Sequence, residues 1–198
     1  MQFYERFSYC PECGEKYTAG SFISESTSFV CSRCSYQFFQ NTRPSATAVI
    51  PALEDPARVL MITRATNPGM GLLACPGGFL EYAEEPSVGA EREALEETSL
   101  NVTAVRLLCC YMINYVWSGA TVSVVELAYL MRPISMRTVG APSDEATKVG
   151  YHSVDELIDH PERLAFPVQA RALALYRDHI TPEREAVSSL SRAPFRGY

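Results

Sequence analysis

Short apolar segments, alternating or continuous, occupy the central part of the chain. The segments SATAVIPAL (45–53), RVLMITRA (58–65) and GLLACPGGFLE (71–81) predict three strands, and the third of them ends in glycines. Two longer β-rich segments follow, NVTAVRLLCCYMINYVW (101–117) and TVSVVELAYLMR (121–132). They are separated by a Ser-Gly break, and we expect them to form an antiparallel pair. The pattern therefore predicts a sheet in the middle of the chain.

A helix is predicted between these strands. Pro86 and Ser87 are residues that begin helices, and the helical spacing continues to Thr98. The apolar residues at helical spacing predict its buried side, namely Val88, Ala90, Ala94 and Leu95.

Two further helices are predicted towards the C-terminus. SVDELIDH (153–160) begins with a capping pattern, because a glutamate follows its first serine by three residues. FPVQARALALYRDHI (166–180) predicts the last long helix. The segment 181–198 is polar and lacks periodicity, so we expect a loosely held tail. PISMRTVGAPSDEA (133–146) is predicted to be a loop.

Four cysteines stand in two C-x2-C pairs near the N-terminus. They are Cys10, Cys13, Cys31 and Cys34. This spacing is typical of a closed tetrahedral zinc site, which is structural because it leaves no open coordination position. Two disulfides or four unconnected thiols are the alternatives. About forty residues bury little core, so a metal would stabilise the module, and we predict a zinc ribbon at 1–40.

The other three cysteines carry no metal spacing. Cys109 and Cys110 lie in an apolar segment and are interpreted as small buried hydrophobic residues. Cys75 lies beside the glycines, where a redox role is the alternative to simple burial.

Composition and charge exclude some partners. The chain has 198 residues, of which 47% are hydrophobic and 20% charged, and its formal net charge is −6. This balance argues against a general electrostatic attraction to nucleic acid or to an anionic membrane. No apolar run is long enough for a membrane span, and the first residues do not resemble a signal peptide. We therefore expect a cytoplasmic protein.

Carboxylates are dense in the segment 77–100. On the predicted helix, Glu96 and Glu97 follow Glu93 by three and four residues, so all three lie along one face. Arg92 is predicted to point elsewhere, so it would not neutralise that face alone. Oxygen ligands in such a cluster suit magnesium or manganese, which share their remaining positions with substrate phosphates. A solvated acidic face is the alternative.

The same segment matches a long motif. Counting from its second glycine, it fits G-x5-E-x7-R-E-U-x-E-E-x-S-U, where U is apolar. The matching residues are Gly78, Glu84, Arg92, Glu93, Ala94, Glu96, Glu97, Ser99 and Leu100. This resembles the Nudix box, the signature of the Nudix hydrolases, except that the box has glycine at the position of Ser99. The departure falls in the turn after the helix, where glycine is favoured for positive φ.

The resemblance implies a fold and a reaction. The fold is α/β, an α/β/α sandwich with a mixed sheet, expected over 41–180. The reaction is hydrolysis of a diphosphate linkage in a nucleoside diphosphate derivative, with Mg²⁺ or Mn²⁺. Carried over to this chain, the metal ligands would be Glu93, Glu96 and Glu97. Arg92 would orient them by ion pairing, with Glu84 as a candidate partner.

A further carboxylate is expected as catalytic base or extra metal ligand. In related enzymes it comes from the loop before the late short helix, where Glu145 is favoured over Asp144. A plain solvated glutamate is the alternative for Glu145. Glu126 lies in an apolar strand and is a weaker candidate, while His152 and His160 are predicted to be surface or capping residues.

The ribbon in front of this domain resembles the NADH pyrophosphatase branch. Members that cleave NADH carry an SQPWPFPxS motif after the box, whereas this chain reads CCYMINYVWSG there. ADP-ribose, NAD(H) and FAD therefore all stay open as substrates, with a mononucleotide as product. Tyr111, Tyr115 and Trp117 could stack on a base, but their alternation favours core or dimer contacts. A homodimer is expected.

Two other function classes share some of these features. A nucleotide-sensing regulator with this fold would be expected to lose the box carboxylates, which this chain keeps. A zinc ribbon that binds nucleic acid would need a basic, aromatic surface, whereas segment 1–40 is slightly acidic. Nucleic acid is therefore not the expected partner.

Overall fold

The computed structural model describes residues 6–134 and 144–191. Most of the loop predicted at 133–146 lies outside these residues. The strands are β1 (Phe22–Ile23), β2 (Ser28–Val30), β3 (Gln37–Phe39), β4 (Arg43–Val49), β5 (Arg58–Arg64), β6 (Leu73–Ala74), β7 (Gly77–Phe79), β8 (Val102–Trp117), β9 (Ala120–Pro133) and β10 (Ala146–Ser153). The α-helices are α1 (Pro86–Thr98), α2 (Val154–Asp159) and α3 (Gln169–Ser191).

The chain divides into two compact units. The first consists of Met1–Arg43 and Asn114–Val125, and the second of Pro44–Ile113 and Glu126–Tyr198. The first unit thus combines the N-terminal segment with the tip of the β8–β9 hairpin. Within it, the Arg6 guanidinium donates a hydrogen bond to the Ser118 carbonyl oxygen.

Aromatic rings form the interior of the first unit, around its antiparallel sheet β1-β2-β3. The buried Phe29 lies at their centre. Its ring centroid is 4.8 Å from Tyr17, 5.1 Å from Phe22 and 6.0 Å from Phe7. This small apolar cluster is the core that so short a segment can build.

Alternation along β4 directs side chains to opposite faces of the second unit. Ala46 and Ala48 pack in one cluster with Ala90 and Ala94 of α1. Val49 packs in the other cluster, which includes residues from α2 and α3. β5 repeats the division, with Leu60 on the first side and Val59 and Met61 on the second. Helices therefore cover both faces, which confirms the predicted α/β/α sandwich with its mixed sheet.

The β8–β9 hairpin has the predicted form. The two strands are neighbours in the sheet of order β7-β4-β9-β8. They are joined by Ser118 and Gly119, which have φ angles of 49° and 78°. Two successive residues with positive φ are typical of the tight turn whose twist matches that of antiparallel strands.

Helix α2 confirms its predicted cap, whereas α3 is longer than predicted. The Ser153 hydroxyl accepts a hydrogen bond from the Glu156 N–H at 3.4 Å, as the capping pattern indicated. Helix α3 continues to Ser191, so residues 181–191 are helical although no regular structure was predicted there. A helix that is already packed extends easily into polar residues, because each added residue gains a backbone hydrogen bond without a new nucleation step.

Candidate active site and cysteine cluster

Helix α1 buries two of the four apolar residues predicted for its inner side, Ala90 and Ala94, together with two glutamates. Its buried residues are Gly89, Ala90, Glu93, Ala94, Glu97 and Thr98. Val88 and Leu95 are 49% and 44% exposed, so their predicted burial is wrong. The small residues Gly89, Ala90 and Ala94 let the helix pack closely. Glu93 and Glu97 can be buried beside them because Arg92 and the Gly77 N–H donate hydrogen bonds to their carboxylates.

Glu97 is the more deeply buried of these carboxylates, at 3% exposure. Its Oε2 accepts a hydrogen bond of 2.8 Å from the Gly77 N–H. Backbone approaches so closely that glycine is required at Gly77, whereas a side chain at Gly78 would have to displace the Glu93 carboxylate. A Cβ at Gly77 would overlap the Ala46 carbonyl oxygen, and one at Gly78 would overlap the Glu93 carboxylate. The two glycines therefore let the strand β7 backbone meet the carboxylates of α1.

Burial makes the charged form of Glu97 unfavourable. Desolvation raises the pKa of Glu97 to about 8, although the Gly77 hydrogen bond lowers it. The negative charges of Glu93 and Glu145 raise the pKa of Glu97 further, and the Arg64 charge opposes them. Desolvation likewise raises the pKa of Glu93. Three carboxylates thus interact with one another across this site.

Arg92 contacts the glutamates directly, so the prediction that it points elsewhere is wrong. Its Nε and Nη2 donate to the two Glu84 carboxylate oxygens at 2.8 and 3.0 Å. Its Nη1 donates to Glu93 Oε1 at 2.9 Å and to Glu96 Oε2 at 3.1 Å. The arginine side chain is long enough to bend along its own helix to Glu93 and Glu96, although its Cα–Cβ bond points in a different direction from theirs. The hydrogen bonds from Arg92 hold the pKa of Glu84 down, to about 2.

The two further carboxylate candidates lie in different surroundings. Glu145 is exposed, immediately before β10, and its carbonyl oxygen accepts the Ala65 N–H at 2.9 Å. Its charge acts on both Glu93 and Glu97. Glu126 is buried within β9 instead, where its Oε1 accepts the Tyr111 hydroxyl at 2.7 Å. The charge of Glu145 thus acts on the helix carboxylates, whereas Glu126 has its partners in the core.

The aromatic and histidine candidates can be placed as well. Tyr111 is buried, which agrees with the core interpretation. The side chain of Trp117 lies outside the described part of the structure. His160 is exposed and pairs with Glu162 at 3.1 Å, as expected of a surface histidine.

Gln169, which sequence reasoning missed, connects buried polar groups. Its Nε2 donates to Glu126 Oε1 at 3.2 Å, and its Oε1 accepts the Cys75 N–H at 3.2 Å. A glutamine in the first turn of an amphipathic helix has the pattern of a surface residue, so no signal in the sequence would have found it. Cys75 itself is buried, whereas Cys110 is exposed and its predicted burial is wrong.

The four N-terminal cysteines converge within the first unit. All four sulfurs lie within 4.8 Å of one another. Cys10 Sγ is 3.7 Å from Cys34 Sγ, and Cys13 Sγ is 3.5 Å from Cys31 Sγ. These distances are too long for disulfides, and tetrahedral thiolate ligands of zinc lie about 3.8 Å apart. The cluster is compatible with a structural zinc site.

Among the residues that the structure describes, every helix is too short or too polar to cross a lipid bilayer.

Comparison with known proteins identifies the domain. The family model for the NUDIX domain matches residues 42–176. A MutT-like protein of Streptomyces ambofaciens is 33% identical over 113 residues, which are 57% of this chain and 64% of that protein. An ADP-ribose pyrophosphatase of Methanocaldococcus jannaschii is 39% identical over 66 residues, which are 33% of this chain and 39% of that protein. The crystal structure of a NUDIX hydrolase from Nitrosomonas europaea has a TM-score of 0.66 and 24% identity, over 85% of this chain and 91% of that chain.

These likenesses differ in what they establish. The matched segments span less than two thirds of the length of both sequence relatives. The Nitrosomonas structure, at this low identity, establishes the fold alone. The family model covers more than half of the chain, including Gly77, Gly78 and every carboxylate on α1. The chain therefore belongs to the NUDIX domain family.

Proposed function

We propose that this chain hydrolyses the diphosphate linkage of a nucleoside diphosphate derivative and releases a mononucleotide. The observation that carries the proposal is the burial of Glu93 and Glu97 on one face of α1, within reach of the Glu145 charge. Arg92 offsets only part of this negative charge, because its guanidinium is bound to Glu84 as well. A divalent cation would stabilise the charged forms of these carboxylates, which burial and mutual repulsion disfavour.

The donor set suits Mg²⁺ or Mn²⁺, because it consists of carboxylate oxygens. We assign Glu93, Glu96 and Glu97 as ligands. The bound metal would neutralise the diphosphate oxygens and lower the pKa of the attacking water. The Gly77 N–H fixes Glu97, and Arg92 fixes Glu93 and Glu96. These contacts hold the carboxylates in place before any ion or substrate arrives.

Glu145 is the proposed base. Glu145 is an exposed residue outside α1, and its charge acts on both Glu93 and Glu97. A carboxylate at that position would accept the proton of the attacking water, or would serve as an additional ligand.

The proposed substrate belongs to the class of ADP-ribose, NAD(H) and FAD. The partial likeness to the Methanocaldococcus jannaschii ADP-ribose pyrophosphatase favours ADP-ribose among these. The likenesses do not specifically indicate the NADH pyrophosphatase branch. Cleavage of ADP-ribose between its two phosphorus atoms would release AMP and ribose 5-phosphate.

We also propose that Cys10, Cys13, Cys31 and Cys34 hold one structural Zn²⁺. The convergence of the four sulfurs supports this site, as does the absence of a disulfide among the described cysteines. The ion would stabilise the first unit and take no part in hydrolysis, since four sulfur ligands close its coordination.

A cytoplasmic homodimer is the proposed assembly. β8 lies at an edge of its sheet and exposes Val105 and Leu107, which supports a contact with a second copy. Size-exclusion chromatography with light scattering tests the proposed dimer by measuring the mass of the protein in solution. A monomeric mass at micromolar concentration would contradict it.

Nucleotide release tests the enzyme proposal. Purified protein is incubated with Mg²⁺ or Mn²⁺ and, separately, with ADP-ribose, NADH, NAD and FAD, and the products are resolved by chromatography. Glu97→Gln removes a proposed ligand, and Glu162→Gln serves as the control because Glu162 is an exposed glutamate of the same unit.

We expect metal-dependent AMP release from ADP-ribose by the unchanged protein and by Glu162→Gln, with a loss of at least about 100-fold in Glu97→Gln. Tight binding of ADP-ribose by calorimetry without turnover of any of these compounds would contradict hydrolysis and favour a nucleotide sensor.

A further inference from the structure

We propose that the Tyr17 hydroxyl donates a hydrogen bond to the Cys10 thiolate of the metal-bound cysteine cluster. Tyr17 would then be a positioning residue of the zinc site, acting on the metal through one of its ligands. The inference rests on the proposed zinc site and is independent of the hydrolysis proposed for the second unit.

The position of the Tyr17 ring is fixed from two sides. Its ring stacks on Phe29, with centroids 4.8 Å apart and an interplanar angle of 24°. Its backbone N–H donates to the Ser8 carbonyl oxygen at 2.9 Å. Ser8 lies two residues before Cys10, so the same contact that anchors Tyr17 holds it beside the first cysteine pair.

The hydroxyl at the end of this ring is buried. The Tyr17 hydroxyl has no hydrogen-bond partner among the described residues. Every other buried side-chain oxygen or nitrogen of those residues has one. Burying a hydroxyl without a hydrogen-bond partner is unfavourable. An exception of this kind among the described residues therefore suggests that the acceptor forms in another state of the protein.

The backbone pairing places Cys10 beside this ring. Tyr9 pairs with Lys16, and the Cys10 N–H donates to the Glu15 carbonyl oxygen at 2.8 Å, so Cys10 is the diagonal neighbour of Tyr17 on the same side of the pairing. Burial and then the charge of Cys10 raise the pKa of Tyr17 to about 12, with further contributions from Cys31 and Cys34. A thiolate can only accept a hydrogen bond, so the phenol hydroxyl is the donor of the pair. A phenylalanine ring would fill the same apolar space beside Phe29. Packing therefore explains the ring of Tyr17 but does not explain its hydroxyl.

Metal binding creates the acceptor. A cysteine binds zinc as a thiolate, so four cysteines and one Zn²⁺ leave a net charge of about −2 on the cluster. The turns that carry the cysteines are held by backbone hydrogen bonds, from the Gly14 N–H to the Cys10 carbonyl oxygen at 2.9 Å and from the Ser35 N–H to the Cys31 carbonyl oxygen at 3.0 Å. Tyr17 adds a side-chain donor at Cys10. Donors of this kind orient metal ligands and stabilise their charge.

The test compares Tyr17→Phe with Tyr9→Phe in the full-length protein. Both changes remove one hydroxyl from the same unit, but Tyr9 is 60% exposed and serves as the control. Zinc affinity is measured by competition with a chromophoric chelator at neutral pH. We expect Tyr17→Phe to weaken binding about 10- to 100-fold and Tyr9→Phe to leave it unchanged.

A spectroscopic readout separates hydrogen bonding from general stability. With Co²⁺ in place of zinc, loss of a donor to a thiolate raises the energy of the sulfur electrons and moves the thiolate-to-cobalt charge-transfer band to longer wavelength. We expect this shift in Tyr17→Phe alone. Equal affinity and an unchanged band in the two variants would overturn the proposal.

A measurement on the unchanged protein covers the case in which Tyr17→Phe fails to fold. In the ¹¹³Cd-loaded protein, the Tyr17 hydroxyl proton should exchange slowly with water and couple to ¹¹³Cd through the Cys10 sulfur. Exchange as fast as that of an exposed tyrosine hydroxyl would overturn the inference. Metal analysis of the unchanged protein tests the zinc site itself, since failure of that site would show as less than one bound ion.

Discussion

Arg92 ties together three glutamates of the candidate site through a single side chain. It forms a two-point contact with Glu84 and single contacts with Glu93 and Glu96. Lysine would keep the charge but could not reproduce this fork of donors. We expect Arg92→Lys to reduce kcat about 10- to 100-fold, since one charge-assisted hydrogen bond contributes about 1.5–3 kcal/mol.

Steady-state kinetics on ADP-ribose check this prediction, with Arg106→Lys as the control because Arg106 is exposed on β8. Equal kcat in the two variants would mean that charge alone suffices at position 92.

Gly78 leaves room for the Glu93 carboxylate of the site. A Cβ there would overlap the Glu93 carboxylate, whereas a Cβ at Gly150 would meet nothing within 4 Å. We expect Gly78→Ala to displace Glu93 and to raise the Mg²⁺ concentration needed for half-maximal activity by about 10-fold or more, since misplaced metal ligands lose affinity on that scale. A metal titration of activity measures this, and Gly150→Ala should match the unchanged protein. A Gly78→Ala variant with unchanged metal dependence would remove Glu93 from the proposed ligands.

At the scale of elements, the end of α1 has a residue in an unfavourable conformation. Ser99 has a φ of 57°, which is the left-handed region, and its N–H donates to the Leu95 carbonyl oxygen. Side chains other than glycine are strained there, whereas glycine loses more entropy on folding. We expect Ser99→Gly to raise the free energy of unfolding by about 0.5–1 kcal/mol in urea denaturation.

Ser87→Gly is the matched control, because Ser87 lies in the first turn of the same helix, where glycine should lower the free energy of unfolding. A destabilised Ser99→Gly variant would show that the serine side chain has a role in the turn.

Helices and strands were predictable from the sequence where a single local pattern determines them. Alternation identified β4, β5 and the hairpin strands, and the capping serine identified α2. The buried face of α1 was predictable only in part. Ala90 and Ala94 are buried as expected, but Glu97 is also buried, and its carboxylate accepts a hydrogen bond from the Gly77 N–H, a partner outside the helix. Burial of Val88 and Leu95 was the local expectation, and a tertiary contact overrode it. The spacing did place Glu93, Glu96 and Glu97 on one side of a helix, but it could not show which side faces the sheet.

At the scale of the whole molecule, zinc should stabilise one unit only. The first unit has a small aromatic core and the cysteine cluster, whereas the second has two large apolar clusters of its own. We expect removal of zinc by a chelator to increase amide hydrogen exchange in 6–43 and 114–125 and to leave the sandwich strands protected. Hydrogen exchange with mass spectrometry measures this, and added zinc should restore protection. Unchanged exchange in 6–43 would mean that its stability does not depend on metal.

The inclusion of 114–125 in the first unit was beyond sequence-based prediction. Local patterns assign a boundary near residue 40 and treat the hairpin as one element. The structure divides that hairpin instead, since its tip clusters with the N-terminal segment and its remaining residues with the sandwich. Hydrophobic periodicity reports local structure, so it does not indicate contacts between segments that are distant along the chain.

The divided hairpin also bears on how the protein can be shortened. A truncated protein that begins at Pro44 would lose most of the first unit but would keep Asn114–Val125, which Arg6 and its neighbours would no longer contact. Two long strands would then end in an uncovered tip with open backbone edges, a surface on which β-rich chains aggregate. A soluble catalytic fragment would therefore need a shortened hairpin as well as a new N-terminus.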